Sequence, residues 1–278
     1  MAPPRFVDRF GSAALFAIVA LVVFAPVFVL GPVLPRGSAT LVELGLSIGL
    51  WLVTRKAAPA GWVASLGPPL LAAAISLLVV SLVDVEAVGV RLNSPAGLAT
   101  AKLIDASVIV AALLVVSRWQ RRELADLYLG RGRVALGICV GVACSVGMVI
   151  LGRGKPGNEA MLDTLRAYPG SVAVFVIANA LMEELLFRGL FIGRLQQRVG
   201  ATLAVAATSV VFALAHVGIQ YQSPQAIGGF LAIVLLLGVL WGVTMLATRS
   251  MLASVLFHIG ADIVIVTEVF KSFGALRG

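Results

Sequence analysis

Charged side chains are scarce in this sequence. Of its 278 residues, 21 are Lys or Arg and 13 are Asp or Glu, together 12%, while 60% are apolar. A soluble globular protein has about 25% charged and about 45–50% apolar residues. This chain therefore cannot cover its surface with polar groups in water, which excludes a disordered chain and a soluble nucleic-acid binder. The composition indicates an integral membrane protein.

Cysteine is rarer still, with two residues in the whole chain, Cys139 and Cys144. Both lie in one apolar segment, five positions apart, so a helix directs them to different sides. They fit packing positions, and the composition excludes a secreted disulfide scaffold. They carry no information on the redox compartment.

Long apolar runs are what the sequence does contain. A helix needs roughly 20 apolar residues to span the hydrocarbon core. The first run is too long for a signal-peptide core and has no clean cleavage site after it, so we expect it to be retained. The second run is short, so the sequence predicts either eight or nine spans. The candidate spans are residues 12–34, 39–54, 66–83, 98–117, 134–151, 171–193, 201–217, 225–247 and 250–270.

The basic residues, which give a net charge of +8, stand between these runs instead of forming one face or tail. With the N-terminus inside, most Lys and Arg fall on the inner side, as the positive-inside rule requires. Residues 118–133 hold five arginines with Trp119 and Tyr128, which predicts an amphipathic helix in the headgroup layer or a solvated loop. Few Lys and much Ala, Gly and Val indicate a bacterial host, so we expect the inner (cytoplasmic) membrane.

Ionisable residues inside three of the last spans are the strongest functional signal. Each costs at least about 2.5–3.5 kcal/mol at bilayer depth, so it usually has a function or a partner. Both histidines of the chain belong to this set. Its members are Glu183, Glu184 and Arg188 in the first of the three spans, His216, four residues after Phe212, in the second, and His258 and Asp262 in the third.

Helical spacing predicts which of these side chains are neighbours. Glu184 and Arg188 are one turn apart and can form an ion pair. Glu183 lies about 100° around the helix from Glu184 and is directed elsewhere, into the bundle. His258 and Asp262 share one helix face. We therefore expect an all-α polytopic transmembrane bundle of about eight or nine helices whose last spans converge on an intramembrane polar cavity.

This inventory suits the activation of a water molecule. A buried glutamate can act as a general base, an imidazole can orient the water, and imidazole N–H groups can stabilise an oxyanion. Glu183, His216 and His258 could instead bind zinc, because two histidines and a carboxylate form a known catalytic set. The sequence has no H-E-x-x-H motif, and the spacing alone leaves both possibilities open.

Three motifs in successive apolar segments carry a resemblance: E-E-x-x-x-R from Glu183, F-x-x-x-H from Phe212 and H-x-x-x-D from His258. Together they resemble the CPBP family, which contains the type II CAAX-prenyl endoproteases and the bacteriocin-processing or immunity (Abi) proteins. The similarity is close over residues 171–270 and extends weakly to 126–142. It implies N-terminal transmembrane helices over residues 1–117 and a protease core over 118–278, in one membrane unit.

The resemblance implies an intramembrane endopeptidase that depends on glutamate and has no obligatory metal or other cofactor. Its partners would be a peptide or membrane-protein substrate and the lipid bilayer, and no nucleic acid. The implied roles are Glu183 as the water-activating base with His216, Glu184 and Arg188 as a supporting ion pair, and His258 and Asp262 on the oxyanion side.

Position 262 departs from the family pattern, because eukaryotic members have Asn where this chain has Asp262. An ionised aspartate repels an oxyanion, so Asp262 is either protonated or fixes the tautomer of His258 without touching substrate.

Two other functions use the same residues. A non-catalytic peptide-binding or bacteriocin-immunity protein would keep them for structure. A proton-coupled transporter would use buried Glu, His and Asp as a relay. Transporters of that type often have duplicated halves, and none is visible in the sequence.

Overall fold

The structure, a computed structural model, describes residues 6–31, 33–35, 37–57, 61–129, 132–154, 161–218 and 226–275. Within these ranges all regular structure is helical, as expected for a chain that must satisfy its backbone hydrogen bonds inside lipid. The α-helices are α1 (Phe6–Ala25), α2 (Ser38–Arg55), α3 (Trp62–Ser81), α4 (Pro95–Trp119), α5 (Val134–Arg153), α6 (Met161–Ala167), α7 (Pro169–Glu183), α8 (Ile192–Val199), α9 (Ala201–Ala215), α10 (Ile227–Thr248) and α11 (Met251–Ala275).

Eight helical stretches in the described part of the chain are long and apolar enough to cross a membrane. The polytopic helical bundle predicted from the sequence is therefore confirmed, and the chain is an integral membrane protein. Predicted span 39–54 is helical, as α2, but is not among the eight. The charged side chains of Glu43 and Arg55 lower the mean hydropathy of α2.

The predicted span 171–193 is not one continuous α-helix. Helix α7 ends at Glu183, a π-helix runs over Glu184–Gly189, and α8 begins at Ile192. The backbone N–H of Leu190 accordingly donates to the carbonyl of Leu185, 3.0 Å away. A π turn bonds residue i to i+5, so the α-helical spacing assumed for the residues after Glu183 does not hold.

The amphipathic helix predicted for residues 118–133 is wrong. Helix α4 ends at Trp119, and only a 3₁₀ turn over Leu124–Leu127 follows within the described part of this run; residues 130 and 131 lie outside it. The helix ends because Arg121 has a left-handed φ of 58°. The N–H groups of Arg121 and Arg122 then bond back to the carbonyls of Arg118 and Ser117, which closes a Schellman motif.

The chain divides into two compact units that interleave along the sequence. The first unit comprises Met1–Leu82, Ile109–Leu127 and Leu185–Val243. Its core contains a chain of aromatic rings, in which Phe187 stacks on Phe24 (centroids 4.6 Å apart) and meets Phe212 edge-on (5.0 Å). Trp241 extends this row of aromatic rings, with its ring 5.7 Å from that of Phe212. Such pairs add to the packing of the helices that carry them.

The second unit comprises Val83–Val108, Tyr128–Glu184 and Thr244–Gly278. Glycines bring α5 and α11 close together in it. A Cβ atom at Gly141 would lie 2.7 Å from Cβ of Leu256, and one at Gly137 would lie 2.9 Å from Oγ of Ser250. Small residues in this register let two helix backbones approach within a membrane.

An apolar cluster in the second unit packs α7 against α11. Val172 and Val176 of α7 and Val266 and Phe270 of α11 are buried together. These two helices carry three of the six predicted site residues, Glu183, His258 and Asp262, so their packing contributes to the geometry described next. The division predicted at residue 117 stays a prediction.

Candidate active site

Three carboxyl groups surround the imidazole of His258 inside the second unit. Nδ1 of His258 lies 2.9 Å from Oε1 of Glu184, and because a carboxylate can only accept, Nδ1–H donates this bond. Nε2 lies 3.4 Å from Oδ1 of Asp262 and 3.6 Å from Oε2 of Glu183. All four residues are buried, with 0% to 6% of each exposed.

The carboxyl group of Glu183 points toward this cluster and away from the surface. Its Oε2 atom is buried and has no hydrogen-bond partner among the described residues. The distance of 3.6 Å to Nε2 of His258 is longer than a direct hydrogen bond and short enough for both groups to contact one small polar molecule. The role of Glu183 as a general base stays a prediction.

Asp262 is held through both of its oxygens. Oδ1 faces His258 one turn earlier on α11, and Oδ2 accepts a hydrogen bond of 3.0 Å from Nδ2 of Asn179. The amide of Asn179 is itself buried on α7. A carboxyl group fixed in this way suits an orienting role toward His258.

Sequence reasoning missed Asn179. The signal was available, because Asn179 is a polar residue of an apolar helix and stands one turn before Glu183 on the same face. Sequence reasoning also directed Glu183 and Glu184 to different partners, whereas in the structure both approach His258. One imidazole presents nitrogens on two sides, so consecutive residues can reach it.

Arg188 belongs to the first unit and is completely buried there. Its guanidinium carbon lies 4.1 Å from the ring centroid of Phe212 and 5.2 Å from that of Trp241, which are cation–π distances. A Cβ atom at Gly238 would lie 2.9 Å from Nη2, so this glycine makes room for the guanidinium. The ion pair with Glu184, a residue of the second unit, stays a prediction.

His216 lies at the start of a 3₁₀ turn, His216–Gly218, in the first unit. Its Nδ1–H donates to the carbonyl of Phe212 over 2.8 Å, and the two rings are 4.4 Å apart. In a neutral imidazole this leaves Nε2 as an acceptor. The F-x-x-x-H motif thus has a structural basis, while the predicted cooperation of His216 with Glu183 stays a prediction.

Residues 166–264 match the family model described as type II CAAX prenyl endopeptidase Rce1-like. This region is Rce1-like. It contains all six predicted site residues, from Glu183 to Asp262. The CPBP resemblance drawn from the three motifs is therefore confirmed for this part of the chain.

The chain also resembles a bacterial protein. The chain is 27% identical over 92 residues to "Putative membrane peptidase YdiL" of Bacillus subtilis (strain 168), a match that covers 32% of this chain and 38% of that relative. The chain thus spans well under half the length of the relative it matches. No solved structure matches the chain.

Within the described residues, no group of three or more His, Cys, Asp or Glu side chains is arranged to hold a metal ion. In the Rce1-like region the nitrogens of His258 face carboxyl groups on both sides. The zinc ligands considered from the sequence, Glu183, His216 and His258, stay a prediction, as does the polar cavity.

Proposed function

We propose that this protein is an intramembrane endopeptidase, which hydrolyses a peptide bond near or within the bilayer. One observation carries the proposal. A buried carboxyl oxygen of Glu183 has no hydrogen-bond partner in the described part of the chain and lies 3.6 Å from Nε2 of His258. It does so in a stretch, Pro169–Val199, that can cross a membrane. The family match over residues 166–264 supports the reaction class.

In the proposed reaction, the Glu183 carboxylate takes a proton from water as the water oxygen attacks the peptide carbonyl carbon. The carbonyl becomes an oxyanion. Because Nδ1–H of His258 is already donated to Glu184, it is Nε2–H of the protonated His258 ring that stabilises the oxyanion in this scheme. Glu183 then returns its proton to the amide nitrogen as the C–N bond breaks, so one water is consumed and glutamate is regenerated. His216, the second imidazole in this scheme, assists Glu183 in activating the water.

The remaining groups of the cluster are positioning residues in this scheme. Glu184 fixes the ring of His258 through Nδ1. Asp262, itself held by Asn179, faces Nε2 and orients the imidazole without touching substrate. The scheme uses no metal or other cofactor.

We propose a peptide or another membrane protein as the substrate, and the inner membrane of a bacterium as the location. Prenylation of the substrate is not part of the proposal, since nothing in the reacting cluster requires it. We also propose that the N-terminus faces the cytoplasm.

The test is turnover of a peptide library by the full chain in lipid nanodiscs, followed by mass spectrometry. Glu183→Gln keeps the shape of the side chain but cannot take a proton, so we expect cleavage to fall by about 10²–10⁴-fold. Glu43→Gln is the matched control, because Glu43 is equally buried on α2 and outside the cluster. It should cleave within twofold of the unmodified chain, and both variants should remain folded.

Equal cleavage by Glu183→Gln and the unmodified chain would refute the base assignment. Specific peptide binding without any product would favour the non-catalytic binding or immunity protein, and uptake of protons with a solute would favour the transporter. Exhaustive chelation should leave turnover unchanged. Loss of turnover that zinc alone restores would contradict the metal-free scheme.

A further inference from the structure

A cavity of about 920 Å³ lies beside the C-terminal end of α4, within the first unit. Arg118, Arg121 and Arg122 line it together with Ser117 and a wall of leucines. No step of the proposed peptidase reaction uses these residues. The cavity therefore needs an explanation of its own.

Arg122 is the deepest of the three arginines, with only 7% of its surface exposed. Two nearby charges act on it in opposite directions: Arg194 repels it and Asp126 attracts it. Burial, together with the nearby charge of Arg194, lowers the pKa of the Arg122 guanidinium to about 10 against the opposing effect of Asp126. Arg122 is thus still cationic at neutral pH, and burying such a charge is costly unless an anion is near.

Ser117 supplies an independent observation. Ser117 is 3% exposed and lines the same cavity. Its hydroxyl group is buried without a hydrogen-bond partner among the described residues. Buried hydroxyl groups are nearly always hydrogen-bonded in folded proteins. A hydroxyl donor and a buried guanidinium in one cavity are the groups that bind phosphate oxygens.

Arg121 occupies the left-handed position of the Schellman motif that ends α4. Glycine is the usual residue there, because a side chain strains this conformation. The side chain of Arg121 is exposed beside the cavity. A glycine at this position would therefore remove the charge and relax the backbone at once.

The charges around the cavity leave an excess of cations. Three arginines line it and Arg194 lies near Arg122, whereas the nearby carboxyl groups are those of Glu123 and Asp126. The fitting ligand is therefore an anion with several acceptor oxygens, such as a phosphate ester.

The surroundings of the cavity are apolar. Val115, Trp119 and Leu124 are each at least 60% exposed, and the helix that ends here, α4, can cross the membrane. If the phosphate of a lipid bound at the arginines, the acyl chain of that lipid would lie along the last turns of α4. We propose that this cavity binds the phosphate-bearing headgroup of an anionic phospholipid.

The test uses the delipidated full chain in detergent and native mass spectrometry, with dioleoyl phosphatidylglycerol and dioleoyl phosphatidylcholine as probes. We expect phosphatidylglycerol to bind about tenfold or more tightly than phosphatidylcholine, since each arginine near the headgroups contributes about a fivefold effect. The double variant Arg118→Gln/Arg121→Gly should lose most of that preference. It changes two exposed side chains and relieves the backbone, so it should fold. Arg122→Gln should lose the preference as well.

Arg153→Gln is the matched control, because it removes an exposed arginine from the end of another span, Val134–Arg153. It should keep the preference within twofold. Equal affinity of the unmodified chain for the two lipids would overturn the proposal, and so would an unchanged preference in the folded double variant. Displacement of phosphatidylglycerol by millimolar inorganic phosphate would also overturn it, since the site would then serve a soluble anion. These results are independent of peptidase activity.

Discussion

His258 is the residue around which the second unit gathers its buried acids. An imidazole can donate at most two hydrogen bonds, yet three carboxyl groups lie within 3.6 Å of its nitrogens. Those carboxyl groups must therefore find other donors, and Asn179 provides one of them. The amide is part of the site although it stands in no motif.

Replacing Asn179 by Ala should destabilise the protein. The change leaves Oδ2 of Asp262 buried without its donor, at a cost of about 1–3 kcal/mol. Thermal unfolding in detergent measures the effect, and peptide turnover should fall with it because the ring of His258 loses its support. Ser254→Ala is the control, since the buried hydroxyl of Ser254 bonds to Met251 of its own helix. Equal unfolding temperatures of the two variants would contradict the role given to Asn179.

Sequence reasoning found the ionisable residues of the site because charge is rare inside apolar spans. It could not find their partners. The α-helical spacing pairs Glu184 with Arg188, which stays a prediction, but it gives no signal for the 2.9 Å contact of Glu184 with His258 on another helix. A neutral amide such as Asn179 costs less in lipid than a charge and so stands out less.

At the scale of helices, hydropathy predicted the spans to within a few residues. The predicted segments 66–83 and 134–151 became Trp62–Ser81 and Val134–Arg153. The failures lie where backbone bonding departs from the α pattern, at the π-helix and at the left-handed Arg121. Arg121 is neither glycine nor proline, and the glycine of the π-helix, Gly189, stands at its end, so the sequence does not mark where either departure begins.

The contact between α5 and α11 should depend on particular glycines. A Cβ atom at Gly141 would lie 2.7 Å from Cβ of Leu256 and 2.9 Å from the carbonyl oxygen of Ala253, whereas one at Gly147, also on α5, meets nothing within 4 Å. Gly141→Ala should destabilise the protein by about 1–3 kcal/mol. Gly147→Ala should be neutral or stabilising by up to about 1 kcal/mol, because Ala favours the helix.

Thermal unfolding of the two glycine variants in detergent distinguishes these outcomes. Equal effects would mean that the two helices can separate without cost, contrary to the close packing described. Because α11 carries His258, turnover should also fall in Gly141→Ala and not in Gly147→Ala.

For the molecule as a whole, sidedness depends on α2. If α2 crosses the membrane as a ninth span, the N-terminus and the loop after α4 face the same side; with eight spans they face opposite sides. Composition and motifs predicted the membrane class and the family. The hydropathy of α2 is too low for the sequence to indicate whether this helix crosses the membrane.

Cysteine labelling in intact cells tests the proposed orientation, in a background with Cys139 and Cys144 replaced by Ala. Asp84→Cys should react with a membrane-impermeant maleimide. Asp8→Cys and Glu123→Cys should react only after the membrane is opened, because both positions belong to arginine-rich inner segments. Labelling of Asp8→Cys but not Glu123→Cys in intact cells would mean eight spans and an N-terminus outside.

The cluster around His258 also has a consequence for synthesis. Glu183 and Glu184 are made about 75 residues before the imidazole on α11, so at about 5–20 residues per second roughly 4–15 s pass before the ring exists. During that time Glu183 and Glu184 must enter the bilayer, or wait beside it, without His258. Newly made chains stalled between these two helices should therefore be the species that insertion factors and quality-control proteases encounter.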